Sequence, residues 1–163
     1  MDIHLIWAQD LNAGIGKDGK LPWHISEDLK NFKNLTINST ILMGRKTWDS
    51  LPIKPLPSRR NIVLSKSNQD NVITLSSHEE CIKFFEKENL DKIFIIGGRS
   101  IFEIFFRYAN FLHITKINLL TPKVNEFFPV EMKQIEKKFK LSSKKQLSPD
   151  AIYTFWERDY GNS

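Results

Sequence analysis

Residues 93–102 read IFIIGGRSIF, an apolar run that passes through two glycines into the start of a helix. A short, uninterrupted run of Ile and Phe is typical of a strand that is buried on both faces of a sheet. The same order occurs earlier in the chain, where the apolar residues 40–43 precede Gly44 and a second short helical segment. Strands that alternate with helices in this way predict an α/β fold with a mainly parallel sheet.

Other apolar, β-rich runs extend this sheet. The last two runs have no helix between them, so we expect an antiparallel hairpin at one edge. The predicted fold is α/β, a single domain over residues 1–163 with a mainly parallel central sheet of about eight strands, a C-terminal antiparallel hairpin and about four flanking helices. Strands are predicted near 3–9, 40–43, 60–65, 71–75, 92–96, 111–117, 138–146 and 150–158, and helices over about 26–35, about 78–88 and after Gly44 and Gly98.

The two longer helices have recognisable starts. Ser26, followed by the acids Glu27 and Asp28, is typical of an N-cap with negative charge in the first turn. Ser77 and Glu80 have the spacing of a capping box, in which each side chain bonds the backbone amide of the other residue. The sequence therefore predicts that both helices begin at a serine.

The chain has a net charge of +5 and a pI near 9.3. This balance favours anionic partners, either nucleic acid or small phosphorylated and carboxylated ligands. The segment from Lys54 to Lys66 contains four basic residues and no acid. A second cluster, from Lys133 to Lys145, contains six lysines and is interpreted as an edge strand that lysines protect from pairing.

Several classes of protein are disfavoured. No apolar run approaches the roughly 20 residues that span a bilayer, and the N-terminal residues lack the features of a cleavable leader. The single cysteine, Cys81, excludes an internal disulfide and fits a reducing cytosol. The four histidines lack the spacing of metal ligands, so no metal site is predicted. We therefore expect a cytoplasmic protein.

Residues 14–23, GIGKDGKLPW, contain the spacing G-x-G-x-x-G of dinucleotide-binding loops. That motif requires a helix directly after its last glycine and an acid about 20 residues later. Here Pro22 falls where the first turns of such a helix would lie, and residues 36–42 contain no acid. We therefore interpret the segment as a glycine-rich functional loop that could cover a ligand.

Asp28 lies five residues after Trp23 and shares a predicted helix with the apolar residues Leu29 and Phe32. From the residues alone, two interpretations of Asp28 remain open. It complements the helix dipole, or it is a partly buried carboxylate whose oxygens bind a ligand.

Several motifs occur in one order over about 130 residues of the chain. They are the apolar strand that ends at Ala8, GIGKDGKLPW (14–23), Asp28, MGRKTWDSL (43–51), PLPSRRNIVLS (55–65), IFIIGGRSIF (93–102), HITKI (113–117) and Phe128-Pro129. On these motifs the chain resembles the dihydrofolate reductase family from end to end. The resemblance implies NADPH-dependent reduction of 7,8-dihydrofolate to 5,6,7,8-tetrahydrofolate, by hydride transfer to pterin C6 with protonation at N5, in one-carbon metabolism. It also implies a monomer that binds antifolate inhibitors.

The resemblance implies three catalytic residues, Asp28, Trp23 and Leu21. Asp28 would accept hydrogen bonds from pterin N3 and the 2-amino group, and Thr115 would support it. Leu21 would press over the reacting rings, and the proton for N5 would arrive through water. The adjacent Glu27 would face outward.

The same resemblance implies the remaining substrate contacts. Arg59 would bind the α-carboxylate of the glutamate tail through its two-pronged guanidinium. Arg60 is its nearest competitor, and Lys54 would add a looser contact. Apolar walls around the pterin and the aminobenzoyl ring would come from Ile6, Leu29, Phe32 and Leu51.

The phosphates of NADPH are expected away from the glycine-rich loop, at helix starts that follow Gly44 and Gly98. Ala8 and Ile15 would hold the nicotinamide carboxamide through backbone groups, and Ser65 with Lys66 would favour the 2′-phosphate. The implied cofactor-binding residues are Ala8, Ile15, Gly16, Lys20, Gly44, Arg45, Lys46, Thr47, Leu64, Ser65, Lys66, Ile96, Gly97, Gly98, Arg99, Ser100, Ile101 and Phe102.

Several positions depart from the pattern of the family, among them Phe102, where tyrosine is frequent, and Ser76, where some relatives carry a lysine. Asn125-Glu126 stands where Asp-Thr is common, which changes the contacts expected to hold the glycine-rich loop. Trp7 is larger than usual, and strand alternation turns it away from the side that Ile6 and Ala8 share, so we expect it to pack in the core.

Two alternative functions fit parts of the sequence. A pyrimidine reductase of the riboflavin pathway would use NADPH but would need neither Arg59 nor the spacing from Trp23 to Asp28. A nucleic-acid-binding module would fit the high pI and the twelve phenylalanines. Those phenylalanines cluster at core spacings rather than among lysines, so no nucleic-acid or membrane partner is expected.

Overall fold

The computed structural model describes residues 1–16 and 21–161. The elements of these residues are the strands β1 (Asp2–Gln9), β2 (Gly14–Gly16), β3 (Thr40–Gly44), β4 (Arg60–Leu64), β5 (Ile73–Leu75), β6 (Lys92–Ile95), β7 (Phe111–Ile117), β8 (Glu126–Phe127), β9 (Phe139–Ser148) and β10 (Ala151–Arg158). The α-helices are α1 (Ser26–Thr36), α2 (Arg45–Ser50), α3 (His78–Lys87), α4 (Arg99–Phe105) and α5 (Met132–Lys138), and a 3-10 helix covers Phe106–Tyr108.

Eight strands form one sheet in the order β5-β4-β3-β6-β1-β7-β10-β9. The central strand β1 pairs in parallel with β6 on one side and with β7 on the other. β10 pairs antiparallel with β7 and with β9, which forms the expected hairpin at one edge. All eight predicted strands are present, and the mixed, mostly parallel sheet confirms the predicted α/β class.

The described residues contain five α-helices rather than about four. The additional helix, α5, occupies the first part of the lysine-rich segment that was interpreted as an edge strand. Its only buried residue is Ile135, and the partly buried Met132 packs on the same core cluster, whereas Lys133 and Lys137 are exposed. Two apolar side chains therefore fix the helix against the core. The edge strand begins after it, at Phe139, and is mostly exposed as expected.

The predicted N-cap at Ser26 is wrong. Ser26 is the first residue of α1, the cap position belongs to Ile25 in an extended conformation, and no side chain caps the helix. At α3 the predicted cap is present, because Ser77 Oγ accepts a hydrogen bond from the Glu80 amide at 3.1 Å. The Glu80 carboxylate reaches one residue further than expected, accepting from the Ser76 amide at 2.6 Å.

A second, two-stranded sheet pairs β2 with β8. The sequence did not predict these short strands. Residues 14–16 are extended, and residues 21–25 are not helical, so the G-x-G-x-x-G spacing lacks the helix start of a dinucleotide fingerprint. Gly14 and Gly16 instead lie in β2, which pairs with β8, and Gly19 lies outside the described residues.

The main core lies between the sheet and the helices α3 and α4. Trp7 packs there as expected, stacked on Phe128 with ring centroids 3.7 Å apart, and its Nε1 donates to Gln9 Oε1 at 2.8 Å. Cys81 and Phe85 of α3 are fully buried in the same core. Burial raises the pKa of the Cys81 thiol to about 12. None of the helices in the described residues is long and apolar enough to cross a membrane.

Candidate active site

Many of the predicted site residues lie at the edge of the sheet where the parallel strands end, whereas Arg59 precedes β4 at the opposite end of that strand. Ala8 of β1 lies opposite Thr115 of β7, and Gly44 of β3 lies opposite Leu64 of β4. Ile96 follows β6 and bonds to Leu42 of β3 through its amide at 2.9 Å. In open α/β sheets, ligands bind outside the carboxyl ends of the strands, so this edge is the candidate active site.

Asp28 lies in the first turn of α1, over the sheet face that carries Thr115. Burial raises the pKa of the Asp28 carboxyl, and a hydrogen bond with the Thr115 side chain opposes that shift. Thr115 is thus a neighbour of Asp28, and its role as support for the carboxylate stays a prediction. Glu27, its neighbour, is exposed, as expected. A half-buried carboxylate with one protein partner retains acceptor capacity for a ligand.

Trp23 precedes α1 and packs on the cluster formed by Ala8, Ile117 and Ala151. Its Nε1 is the one buried side-chain polar atom without a hydrogen-bond partner in residues 1–16 and 21–161. A buried donor normally has a partner, which a ligand or an ordered water can supply. Leu21, at the start of the same segment, is 50% exposed.

Apolar side chains form the floor between β1 and α1. Ile6 is buried, and Phe32 and Leu51 pack on the cluster that contains it. Leu29 is 41% exposed and lies at the outer end of this surface. Three of the four expected wall residues thus share one cluster, and Leu29 does not belong to it.

The structure separates Arg59 from its competitor Arg60. Arg59 turns toward α1, where its guanidinium lies 6.0 Å from the Phe32 ring centroid and Nη1 donates to Thr36 Oγ1 at 3.2 Å. Arg60 turns the other way, to a short ion pair with Glu88. Desolvation lowers the pKa of Arg59, and no acid pairs with it among the described residues. Of the two guanidinium groups, only that of Arg60 has an acidic partner among the described residues.

Lys54 lies further out. It is exposed, and its ammonium is 5.8 Å from the ring centroid of Trp48. This position is compatible with a loose contact to the tail of a ligand.

Gly44 and Gly97 bring two chain segments into close contact. The Gly44 amide donates to the Gly97 carbonyl at 2.8 Å, and a Cβ on Gly44 would lie 2.9 Å from Ile101. Gly97 has φ of +121°, a conformation that side chains with a Cβ rarely adopt. The peptide between Gly97 and Gly98 is cis. Glycine is thus required at both strand ends.

Gly97→Ala should lower the free energy of unfolding by about 1–3 kcal/mol, because the new Cβ would be strained at this φ. It would also lie 3.2 Å from the Phe102 ring. Urea unfolding of the ligand-free protein measures the change. Gly98→Ala is the matched control, since its Cβ would meet nothing closer than Thr47 Oγ1 at 3.6 Å. A control that destabilises as much as Gly97→Ala would contradict this explanation.

The starts of α2 and α4 fit the phosphates of a dinucleotide. Their cap residues, Gly44 and Gly98, provide no side chain that bonds the first-turn amides. These amides are donors available to an anion. Cations accompany them in the exposed side chains of Arg45 and Lys46, although Arg45 Nη1 also donates to Asp49 Oδ2 at 3.0 Å. Thr47 Oγ1 faces Gly97 and Gly98, at 3.7 and 3.6 Å from their constructed Cβ positions.

The segment after β4 is also open to an anion. Leu64 ends the strand half-buried, Lys66 is exposed, and Ser65 Oγ lies 3.3 Å from Ser67 Oγ. A cation and a hydroxyl therefore follow β4 beside the strand that ends at Gly44.

Two of the residues expected at the cofactor lie beneath the glycines. Ile101 is buried against Gly44, and Phe102, 2% exposed, packs on Trp7 and Phe128. Ser100 and Arg99 of the same helix are exposed. The alternation of buried and exposed positions along α4 assigns Ile101 and Phe102 to support of the glycine backbone.

The glycine-rich loop is anchored by contacts that the sequence did not reveal. Asp10, 5% exposed, accepts from the Asn12 and Gly14 amides at 2.9 and 2.8 Å, and from the Thr121 amide at 3.3 Å. The only signal in the sequence is an Asp within a short polar turn, which is too common to identify an anchor. Asp10 thereby fixes the start of the segment that carries Ile15.

The far side of the loop is held by the backbone of β8. The Gly16 carbonyl accepts from the Asn125 amide at 3.1 Å, so the departure at Asn125-Glu126 leaves this backbone contact in place. Arg99 Nη1 donates to the Phe127 carbonyl at 2.8 Å, which joins α4 to β8. Lys20, also expected at the cofactor, lies outside the described residues.

The histidines are not grouped as metal ligands. Within the described ranges, no three His, Cys, Asp or Glu side chains come close enough together to hold a metal ion. His24 is exposed, and His78 Nε2 lies 3.2 Å from Glu79 Oε1, a carboxylate pair that the sequence did not indicate. His4 and His113 are joined to each other inside the fold at 2.8 Å.

Comparison with known proteins agrees with this geometry. The family model described as "Dihydrofolate reductase" matches residues 2–157. The chain is similar to dihydrofolate reductase type 9 of Escherichia coli, with 38% identity over 76% of this chain and 75% of that protein. It is also similar to the dihydrofolate reductase of Buchnera aphidicola subsp. Acyrthosiphon pisum, with 43% identity over 73% of this chain and 74% of the relative.

A solved structure extends the similarity to the whole fold. Dihydrofolate reductase from Enterococcus faecalis, complexed with NADP(H) and RAB-propyl, superimposes with a TM-score of 0.85 and 29% sequence identity. The match covers 97% of this chain and 96% of that one.

Proposed function

Since the chain belongs to the dihydrofolate reductase family, and therefore reduces dihydrofolate with NADPH, we propose that Asp28 is the residue that holds the pterin. One observation carries this proposal. Asp28 is half-buried at the carboxyl end of β7, with Thr115 as its bonded neighbour and acceptor positions free for a ligand. A pterin offers two adjacent N–H donors, at N3 and the 2-amino group, which match the two oxygens of a carboxylate.

The residues around Asp28 orient the pterin and exclude water. Ile6, Phe32 and Leu51 supply an apolar surface on which the rings can lie. NADPH, when bound, supplies the hydride that is transferred to pterin C6. We infer that the proton for N5 arrives through water, and the unpaired Nε1 of Trp23 is a donor that could hold such a water or a pterin oxygen.

For the cofactor, the proposal assigns the phosphates to the starts of α2 and α4. Uncapped amides at both helix starts and the nearby cations Arg45, Lys46 and Lys66 support this assignment. Gly44 and Gly97 allow the two helix starts to approach through a direct backbone hydrogen bond. Ser65 and Lys66 would face the 2′-phosphate that distinguishes NADPH from NADH.

The glycine-rich loop is proposed to cover the reacting rings. Asp10 anchors the loop at one end, and β8 pairs with Gly14 and Gly16. Ile15 lies between these anchors and could hold the carboxamide of the nicotinamide through its backbone. Leu21, exposed at the other end of the loop, has the apolar side chain needed to exclude water above the rings.

Arg59→Leu should raise KM for dihydrofolate by about 10- to 100-fold and leave KM for NADPH unchanged, because a two-pronged charge-assisted contact would be lost. Steady-state kinetics with each substrate varied in turn measures both constants. A dihydropterin analogue that lacks the glutamate should be reduced equally well by the wild type and the variant.

Arg60→Leu is the matched control for this prediction. Arg60 is occupied by Glu88 and by the Phe84 ring, whose centroid lies 5.1 Å from its guanidinium carbon. Its removal should therefore leave KM for dihydrofolate unchanged. A larger rise in KM from Arg60→Leu than from Arg59→Leu would show that the tail binds on the other side of β4.

We further infer that residues 1–163 function as a single domain, as a monomer in the cytoplasm, and that antifolates bind over the pterin surface. The continuous eight-stranded sheet supports the single domain. The exposed, lysine-rich strand β9 disfavours pairing between copies. Sedimentation at micromolar concentration tests the oligomeric state, and inhibition by a diaminopyrimidine tests antifolate binding.

A further inference from the structure

A chain of three polar side chains, with His113 buried at its centre, crosses the sheet beneath the candidate active site. His113 Nε2 lies 2.8 Å from His4 Nδ1, and His113 Nδ1 lies 2.6 Å from the Tyr153 hydroxyl. Burial lowers the pKa of His113 to about 3 and that of His4 to about 4, so both rings are neutral near pH 7. A neutral imidazole donates through one nitrogen and accepts through the other, so His113 is satisfied by its two partners.

The outer end of this chain lies next to the residue that supports Asp28. Tyr153 of β10 is directly opposite Thr115 of β7 in the antiparallel register. Directly opposite side chains share a face, with Cβ atoms about 4.5–5.5 Å apart. His113 precedes Thr115 by two residues and lies on the same face. Tyr153 thus stands beside Thr115 while its hydroxyl reaches back to His113.

The Tyr153 ring is well suited to shield this position. It is half-buried, and it lies nearly parallel to the His113 ring, with centroids 6.0 Å apart and an interplanar angle of 16°. Its hydroxyl bond to a buried imidazole restricts rotation of the ring away from Thr115. On the other flank, Thr115 is covered by Ala8 of β1.

We propose that Tyr153 is a positioning residue, whose ring, latched to His113 through its hydroxyl, closes the outer side of the Thr115–Asp28 pair against water. The proposal rests on the proposed function of Asp28 as the acceptor for the pterin. The latch keeps Thr115 available to Asp28, and it preserves the low-dielectric surroundings in which a carboxylate binds N–H donors strongly.

The charged side chains near the Thr115–Asp28 pair are exposed, so they do not explain the low-dielectric surroundings of the Asp28 carboxylate. On and before α1, His24, Glu27 and Lys30 are all exposed. From β9, the exposed Lys145 lies opposite Tyr153. Among the described residues, the other titratable groups on this face include the two neutral histidines, Tyr153 itself, and the exposed Asp2 and Lys92, whose charges act on the histidines at the start of β1 and β6. Exclusion of water by the ring is therefore the property that variants of Tyr153 would change.

The test is the titration of the Asp28 carboxyl, followed by ¹³C NMR in the ligand-free protein and by the pH profile of kcat/KM for dihydrofolate. Tyr153→Ala removes the cover and should lower the pKa of Asp28 by about half a unit or more, toward its ordinary value. Tyr153→Phe removes the latch and keeps the ring, and His113→Leu removes the latch together with the bond to His4. Both keep the cover of the Tyr153 ring, so each should give a smaller shift in the same direction. Asp28→Asn assigns the NMR resonance.

The double variant Tyr153→Phe/His113→Leu distinguishes a latch from general damage. Both substitutions remove the same hydrogen bond, so the double variant should shift the pKa no further than either single one. Tyr108→Phe is the matched control, because its hydroxyl bonds Arg107 far from the site, and it should leave the titration unchanged. If Tyr153→Ala does not fold, the latch variants still decide the question.

Two outcomes would overturn the proposal, an Asp28 pKa that is the same in every Tyr153 and His113 variant, or shifts that add in the double variant. Failure of the proposed function would look different. In that case Asp28→Asn would retain dihydrofolate reduction, whatever the NMR titration of the Tyr153 variants showed.

Discussion

Asp28→Asn should lower kcat/KM for dihydrofolate by about 10²- to 10⁴-fold near neutral pH. The ionised carboxylate can accept two charge-assisted hydrogen bonds from the pterin, each contributing about 1.5–3 kcal/mol. Asparagine keeps one acceptor and turns an amide donor toward the donors of the ligand. The hydrogen bond from Thr115 would then go to an uncharged group, which weakens the support as well.

The decrease in NADPH absorbance during dihydrofolate reduction measures the effect. Glu27→Gln is the natural control, because Glu27 is adjacent in sequence, carries the same charge and is exposed. We expect it to retain nearly the full activity. Equal losses from the two substitutions would mean that the pterin is held by another residue. A wild-type protein that does not reduce dihydrofolate would refute the proposed function.

Between pH 6.5 and pH 4, the free energy of unfolding should decrease by at least about 3 kcal/mol through His4 and His113. In the unfolded chain both imidazoles take up protons near the ordinary pKa of 6.5. In the folded protein burial lowers the two pKa values to about 4 and about 3, so the unfolded state binds more protons throughout this interval. Stability from this source is complete above pH 6.5 and is lost as the pH falls toward the folded pKa values.

Urea unfolding at several pH values from 7 to 4 measures this dependence. The double variant His4→Leu/His113→Leu removes both titrating groups and should flatten the curve in this interval, even if its stability at pH 7 is lower. A wild-type curve that stays level from pH 6.5 to pH 4 would show that the two rings are already charged in the folded protein.

The centre of the main sheet could be predicted because strands such as β3 and β6 are nearly uninterrupted apolar runs. Burial on both faces leaves Ile93–Ile95 and Ile41–Met43 with no exposed positions, and the sequence shows this directly. The candidate site followed from the same strands, since Gly44 and Gly97 mark where the chain leaves the sheet. The choice of Arg59 over Arg60 came from the family resemblance and stays a prediction, and in the structure the two side chains turn in opposite directions.

Features that depend on distant residues could not be predicted. β2 and β8 are short and gain their pairing from each other, so neither has a periodic pattern of its own. Ser26 is not the N-cap of α1. Trp23 and Ile25 pack on the cluster around Ala8, and this packing fixes how the chain enters the helix. The link between His4 and His113 joins two strands that are neighbours only in the folded sheet.

The burial of Cys81 has a consequence for the chemical durability of the protein. Oxidants and alkylating reagents attack the thiolate. A thiol with a pKa of about 12 and no exposed surface provides almost no thiolate for these reagents to reach. The sulfur becomes reactive only when α3 separates from the sheet. The rate and extent of this local opening therefore limit the oxidation of Cys81, together with the concentration of oxidant.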